Sequence, residues 1–139
     1  MNSTARLPQR IIPLPRPGRR LVERRKQRSN STAEALELAL SAAADGGELD
    51  VVLVADDYGM LVASSHTALE LDMLAAITPI ISRGRATATI KRNGEQRQLS
   101  VKSIRVFGEI LHVAALGGDG AARALGVMRS VTAARRILS

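Results

Sequence analysis

The chain has no cysteine and no tryptophan, and its 139 residues include one tyrosine and one phenylalanine. Without thiols it forms neither a disulfide nor a thiolate metal site, and nothing in it calls for an oxidising compartment. No apolar run approaches the roughly 20 residues that span a bilayer, and the first residues alternate Arg and Pro where a signal peptide needs an unbroken apolar stretch. The expectation is a soluble, cytoplasmic protein. Histidine is nearly absent as well. His66 and His112 have no second His, Cys or carboxylate at ligand spacing, so neither reads as a metal ligand or an acid–base group. Asp56 and Asp57 are the only adjacent carboxylates, and turn formation accounts for them. These absences leave no catalytic constellation, no cofactor site and no small-molecule substrate to expect.

What is present is charge, and it is unevenly placed. The net charge is +7, but Met1 to Ser31 holds nine Lys/Arg against one acid, which leaves −1 for the rest. Four of the five prolines (Pro8, Pro13, Pro15, Pro17) lie in the same segment, which has no aromatic residue. Such a composition buries too little apolar surface to offset its ordering entropy. Residues 1–31 therefore read as a disordered basic tail, leaning toward polyproline II over Ile11 to Pro17, with a short helix over Leu21 to Arg28 when bound. Arg19, Arg20, Arg24, Arg25, Lys26 and Arg28 are the candidate polyanion-binding residues, with nucleic acid or an anionic membrane as partner. A solubilising linker is the competing reading. Residues 32–139 are long enough for one domain that needs no staple.

That domain begins with Ser31 and Glu34, spaced as in a capping box, before an amphipathic helix from about Thr32 to Ala44. Asp45-Gly46-Gly47 stops it. Val51 to Ala55 and Met60 to Ala63 are apolar, β-branch-rich runs flanking Asp56-Asp57-Tyr58-Gly59, a tight hairpin in which Gly59 takes a positive φ. A second helix spans Leu69 to Arg83. Leu69, Met73, Leu74, Ile77, Ile80 and Ile81 form a stripe broad enough to cover a sheet face, and Pro79 should kink the helix near Ala75. On the other side Leu71, Ala75, Thr78 and Ser82 recur at spacings of four, three and four, a seam able to admit a second helix closely. Arg85 to Arg92 and Glu95 to Ile104 pair through Asn93-Gly94, and Ile110 to Leu116 reads as a central strand covered on both faces. Gly117-Gly118-Asp119-Gly120 then turns into a last helix, Ala121 to Leu138, with Ala124, Val127, Met128, Val131, Ala134 and Leu138 inward. The glycine run lacks the Lys-Ser/Thr of a phosphate loop and the third glycine of a dinucleotide fingerprint, so a plain turn with an N-cap accounts for it.

Asp-Val-Val-Leu-Val-Ala-Asp-Asp-Tyr-Gly-Met-Leu-Val-Ala-Ser, from Asp50, resembles the opening hairpin of the Roadblock family (dynein light chain Roadblock-type domains), and Ala124-Leu125-Gly126-Val127-Met128-Arg129 resembles its last helix. The element order agrees from about Glu34 to Leu138. The resemblance implies an α/β, profilin-like fold: a five-stranded antiparallel sheet with the first and last helices on one face and the middle helix on the other. It also implies a homodimer joined through the middle helix and third strand. Family members bind small Ras-like GTPases or serve as assembly subunits, and bacterial ones of this size regulate polarity and motility GTPases. Those that stimulate hydrolysis reshape the GTPase's own machinery, so no catalytic Arg is required here. Pro79 and the basic tail depart from the family pattern.

The expected dimer interface is Leu71, Ala75, Thr78 and Ser82 with Thr87 and Thr89, and replacing Ala75 with Arg should give monomers. Glu70, Asp72 and Thr78 are the expected GTPase-contacting residues. The function expected is a non-catalytic, homodimerising regulator of a small GTPase. The alternative is a dimeric scaffold whose tail attaches to nucleic acid, membrane or a polymer.

Overall fold

The computed structural model describes the backbone of residues 17–139 and the side chains of residues 31–139. Contacts divide the chain into two units, Met1–Ser31 and Thr32–Ser139, and the sheet and its cores belong to the second. Helix α1 spans Pro17–Gly47. It starts well before the Ser31/Glu34 pair, which is helix interior and not a cap. Pro17 suits a first turn, where its missing N–H is one the helix leaves unbonded in any case. The polyproline and disorder readings of residues 1–16 lie outside the described residues, as do the side chains of Arg19, Arg20, Arg24, Arg25, Lys26 and Arg28.

Then come β1 (Val51–Asp56), β2 (Leu61–Ser64), α2 (Asp72–Ser82), β3 (Thr87–Arg92), β4 (Glu95–Val106), β5 (Glu109–Leu116) and α3 (Gly120–Leu138). The five strands form one antiparallel sheet in the order β2-β1-β5-β4-β3. As the apolar run of Ile110 to Leu116 requires, β5 is central, and six of its eight residues are buried. The period-two alternation of the strands feeds two cores, one on each face. Val52, Val54, Ile104, Leu111, Val113 and Ala115 meet α1 and α3 through Leu36, Leu40, Val127, Val131 and Ala134. On the opposite face Val51, Leu53, Leu99, Val101, Ala114 and Leu116 meet α2 through Leu71, Leu74 and Ala75. The helices are thus divided between the faces as the family resemblance implied.

The hairpin turns follow their residues. Asp56 Oδ1 accepts from the N–H groups of Tyr58 and Met60, both at 2.9 Å, and Gly59 sits at φ +84°. Asn93-Gly94 has φ +49° and +81°, both positive as a type I′ turn demands. Phe107-Gly108 repeats that pair at the end of β4. In α3 the buried line is Gly126, Val127, Ser130, Val131, Ala133 and Ala134, while Ala124 and Met128, expected inward, are exposed. Gly126 sets this rotation, because a Cβ there would stand 2.6 Å from Leu49 Cδ1.

Candidate docking site

α2 is short and apolar on nearly every side, so its orientation on the sheet decides what it leaves for a partner. Leu71, Leu74, Ala75, Thr78 and Pro79 are buried, and the sheet takes that side. Small Ala75 and Thr78 let the helix lie close, and Thr78 Oγ1 donates to Leu74 O at 2.7 Å, which satisfies a hydroxyl that no water reaches. Met73 is 75 % exposed and Ile80 65 % exposed; at seven residues apart they crown the helix on the side away from the sheet. Between α2 and β3 runs an open groove of about 720 Å³, floored by Leu74, Ile77, Ile90 and Leu116, with Met73 at its rim. Its outer wall is β3, an edge strand with no partner beyond it among the described residues.

This orientation corrects part of the sequence reading. Leu71, Ala75 and Thr78 are 7, 1 and 0 % exposed, so they pack on their own sheet and have no surface to give a second helix or a GTPase. Ser82 is half-buried, with its hydroxyl on Pro79 O. Met73 and Ile80, expected to cover the sheet, face outward instead. Thr87 and Thr89 lie exposed on the β3 edge, Thr89 accepting from Gln98 Nε2. Glu70 and Asp72 are exposed at the N-terminal end of α2, and Glu70 borders the groove.

The β1–β2 turn is packed onto the other flank of α2. A Cβ at Gly59 would lie 3.0 Å from Ala76 Cα, tighter than ordinary packing, and the residue sits at a positive φ, so glycine favours this approach. The turn thereby presents Tyr58, 92 % exposed, and Met60, 65 % exposed, beside the helix. Asp57 serves something other than the turn. Its Oδ1 lies 2.8 Å from His112 Nε2 and 2.8 Å from an Arg83 guanidinium nitrogen, joining the turn to the central strand and to the end of α2. The hydrogen bond from His112 holds the Asp57 carboxyl below its ordinary value; partial desolvation opposes this, and the Arg83 charge reinforces it. His112 is 2 % exposed, and its Nδ1 is 2.8 Å from Ser103 Oγ. Ser103 and His112 are opposite partners across the β4–β5 hairpin, but no sequence spacing links Asp57 to either. The one available signal was a polar residue inside a strand read as covered on both faces, since such a side chain requires partners.

The glycine loop is a turn with a cap, as expected. Asp119 Oδ1 accepts from the Ala122 N–H at 2.7 Å, and Arg123 donates to the carbonyls of Gly117 and Gly118. The carbonyl side of the loop is thus tied to its own helix.

One five-stranded antiparallel sheet with the first and last helices on one face and the middle helix on the other is a profilin-like fold. Among solved structures the fold is shared with Myxococcus xanthus MglB, at 12 % identity and a TM-score of 0.57 over 75 % of this chain and 87 % of that one. It is shared too with the gliding protein mglB of Thermus thermophilus, at 16 % identity and a TM-score of 0.60 over 77 % and 90 %. An MglB with a tetrameric arrangement matches at 16 % and 0.58 over the same shares. No family model and no curated protein sequence matches the chain.

Proposed function

We propose that the protein is a non-catalytic, homodimerising cytoplasmic module that binds a small Ras-like GTPase of the bacterial polarity and motility type and modulates its nucleotide cycle. The observation that carries this reading is the division of α2 into three sides. The sheet takes one. The groove beside Ile77 and Ile90, continuous with the β3 edge and its Thr87 and Thr89, suits a second copy, because an uncovered edge strand next to an apolar trough is a template for pairing. The crown of Met73 and Ile80, bordered by Glu70 and Asp72, is left for the GTPase, with apolar anchors inside a charged rim. A fold shared with MglB gliding proteins supports the choice of partner class. The deciding experiment is capture from native extract on the immobilised full chain, with GTPγS or GDP added, followed by mass spectrometry. A Ras-like GTPase retained with GTPγS and lost with GDP is the expected result, and its absence under both conditions refutes the reading. Calorimetry with GTP alone should give no heat of binding.

A second reading rests on the nine cations against one acid in residues 1–31. In it the folded unit only dimerises, and two tails on one particle grip a polyanion, with avidity exceeding single-tail affinity by roughly 10² or more where both reach the same surface.

A further inference from the structure

The chain of polar side chains across the α2 face of the sheet has a direction. Asp57 accepts and does not donate, so His112 carries its proton on Nε2, and in the neutral ring Nδ1 turns a lone pair toward Ser103 Oγ 2.8 Å away. The Ser103 hydroxyl then donates to that nitrogen. Arg83, on the same Asp57 oxygen, adds its charge to the hydrogen bond from His112. His112 is buried, whereas Ser103 is exposed. These are the relations a relay needs to make a serine nucleophilic: a carboxylate fixes the tautomer, an imidazole accepts the proton, and the hydroxyl remains within reach of a reagent.

The backbone adds one donor. β3 pairs with β4 only as far as Thr87 opposite Ser100, and the Val101 N–H reaches Ala86 O. Alternation along an antiparallel strand turns the Ser103 N–H to the same side as that of Val101, where β4 has outrun its neighbour. A carbonyl oxygen under attack by Ser103 Oγ finds that single N–H.

We propose that Ser103 is an activated hydroxyl and a site of covalent acylation by donors with good leaving groups. Oγ adds to the carbonyl carbon of an activated ester as Nδ1 of His112 takes the hydroxyl proton. The bond from that carbon to the leaving oxygen breaks, the oxygen keeps the electron pair, and His112 returns the proton to it. The products are an ester on Ser103 and a free phenol or alcohol. One donor N–H where acyl-transfer enzymes aim two, and no enclosed cavity at the serine among the described residues, limit the chemistry to a single transfer per chain, so the group stays on the protein.

The test is p-nitrophenyl acetate on the full-length protein, read by p-nitrophenol release and by peptide mapping, with a fluorophosphonate as a second probe. About one equivalent of p-nitrophenol per chain and an adduct at Ser103 are expected, with Ser31, also exposed on the folded chain, unmodified. Ser103→Ala should abolish the burst, and Asp57→Asn, which releases the tautomer, should slow it about 10²-fold. Modification of Ser103 no faster than that of Ser31 overturns the proposal on the wild-type chain alone, whether or not a variant folds. Equal rates for the wild type and a folded Asp57→Asn protein overturn it too.

Discussion

Arginine at position 75 and arginine at position 80 should fail in opposite ways, although both positions lie on α2. Ala75 is 1 % exposed and belongs to the core with Leu53, Leu99, Val101 and Ala114. An arginine there puts a guanidinium among aliphatic side chains with no carboxylate partner in that core. Leaving a buried charge uncompensated costs about 3–5 kcal/mol, and the added volume about 1–3 kcal/mol more. The sum, roughly 4–8 kcal/mol, is comparable to the whole stability of a domain, about 5–15 kcal/mol. Ala75→Arg should therefore unfold the protein or leave it without a cooperative melt, not give the folded monomer that a surface seam would yield. Ile80 is 65 % exposed, and replacing it with Arg should move stability by no more than about 0.5 kcal/mol. Thermal circular dichroism followed by equilibrium sedimentation separates the cases. A folded Ala75→Arg protein melting within a few degrees of wild type would refute the orientation of α2, and the docking face with it. Ile80→Arg should keep the fold and the dimer yet lose the GTPase.

Gly59→Ala should cost about 1–3 kcal/mol from its positive φ, with a further strain from the Cβ against Ala76, and lower the melting temperature by roughly 5 °C or more; an unchanged melt would show that the turn does not rest on α2. Because folding depresses the Asp57 pKa, its contribution is fully present above the unfolded value of 3.8 and is lost as pH falls through the lower folded value. The gap in urea midpoint between wild type and Asp57→Asn should thus close in acid, and a gap that stays constant down to about pH 3 contradicts the assignment. For the tail, replacing Arg24, Arg25 and Arg28 with Gln should lower the log–log salt slope of DNA or anionic-vesicle binding by up to about 2.7. An unaltered slope makes the segment a linker, and GTPase capture should be indifferent to the change.

The elements were legible where turn chemistry or an alternating pattern forced them. Asp56 to Gly59 and Asn93-Gly94 each signal a hairpin, and the nearly continuous apolar run from Ile110 to Leu116, interrupted by His112 alone, marks the central strand. Rotation of α2 was not legible. Periodicity finds stripes on a helix, but the side laid on the sheet takes part of each: Leu74 with Leu69, Ile77 and Ile81 from the large-residue stripe, and Leu71, Ala75 and Thr78 from the other. A helix lying close on a twisted sheet needs small residues beneath it, so Ala75 and Thr78 went in while Met73 and Ile80 stayed out. α3 repeats the lesson, with Gly126 inward against Leu49 and Met128 outward. The link from Asp57 to Ser103 and His112 was hidden for another reason: Ser103 and His112 face each other across the β4–β5 hairpin, but Asp57 comes from the turn of a different hairpin, 55 residues from His112 in the chain.

The central place of β5 has a consequence for the growing polypeptide. β1 has its hairpin partner as soon as Ser64 is made, but its other side pairs with Leu111 to Leu116. At roughly 5–20 residues per second, some 3–10 s of translation separate the two. Through that interval Val51 to Ala55 offers an apolar strand with an open edge to any neighbouring chain, and β4 waits beside the same vacancy. A ribosome that stalls before residue 109 therefore releases two unjoined hairpins, not a smaller stable domain. Synthesis has to reach the last quarter of the chain before any of the earlier strands is safe from aggregation.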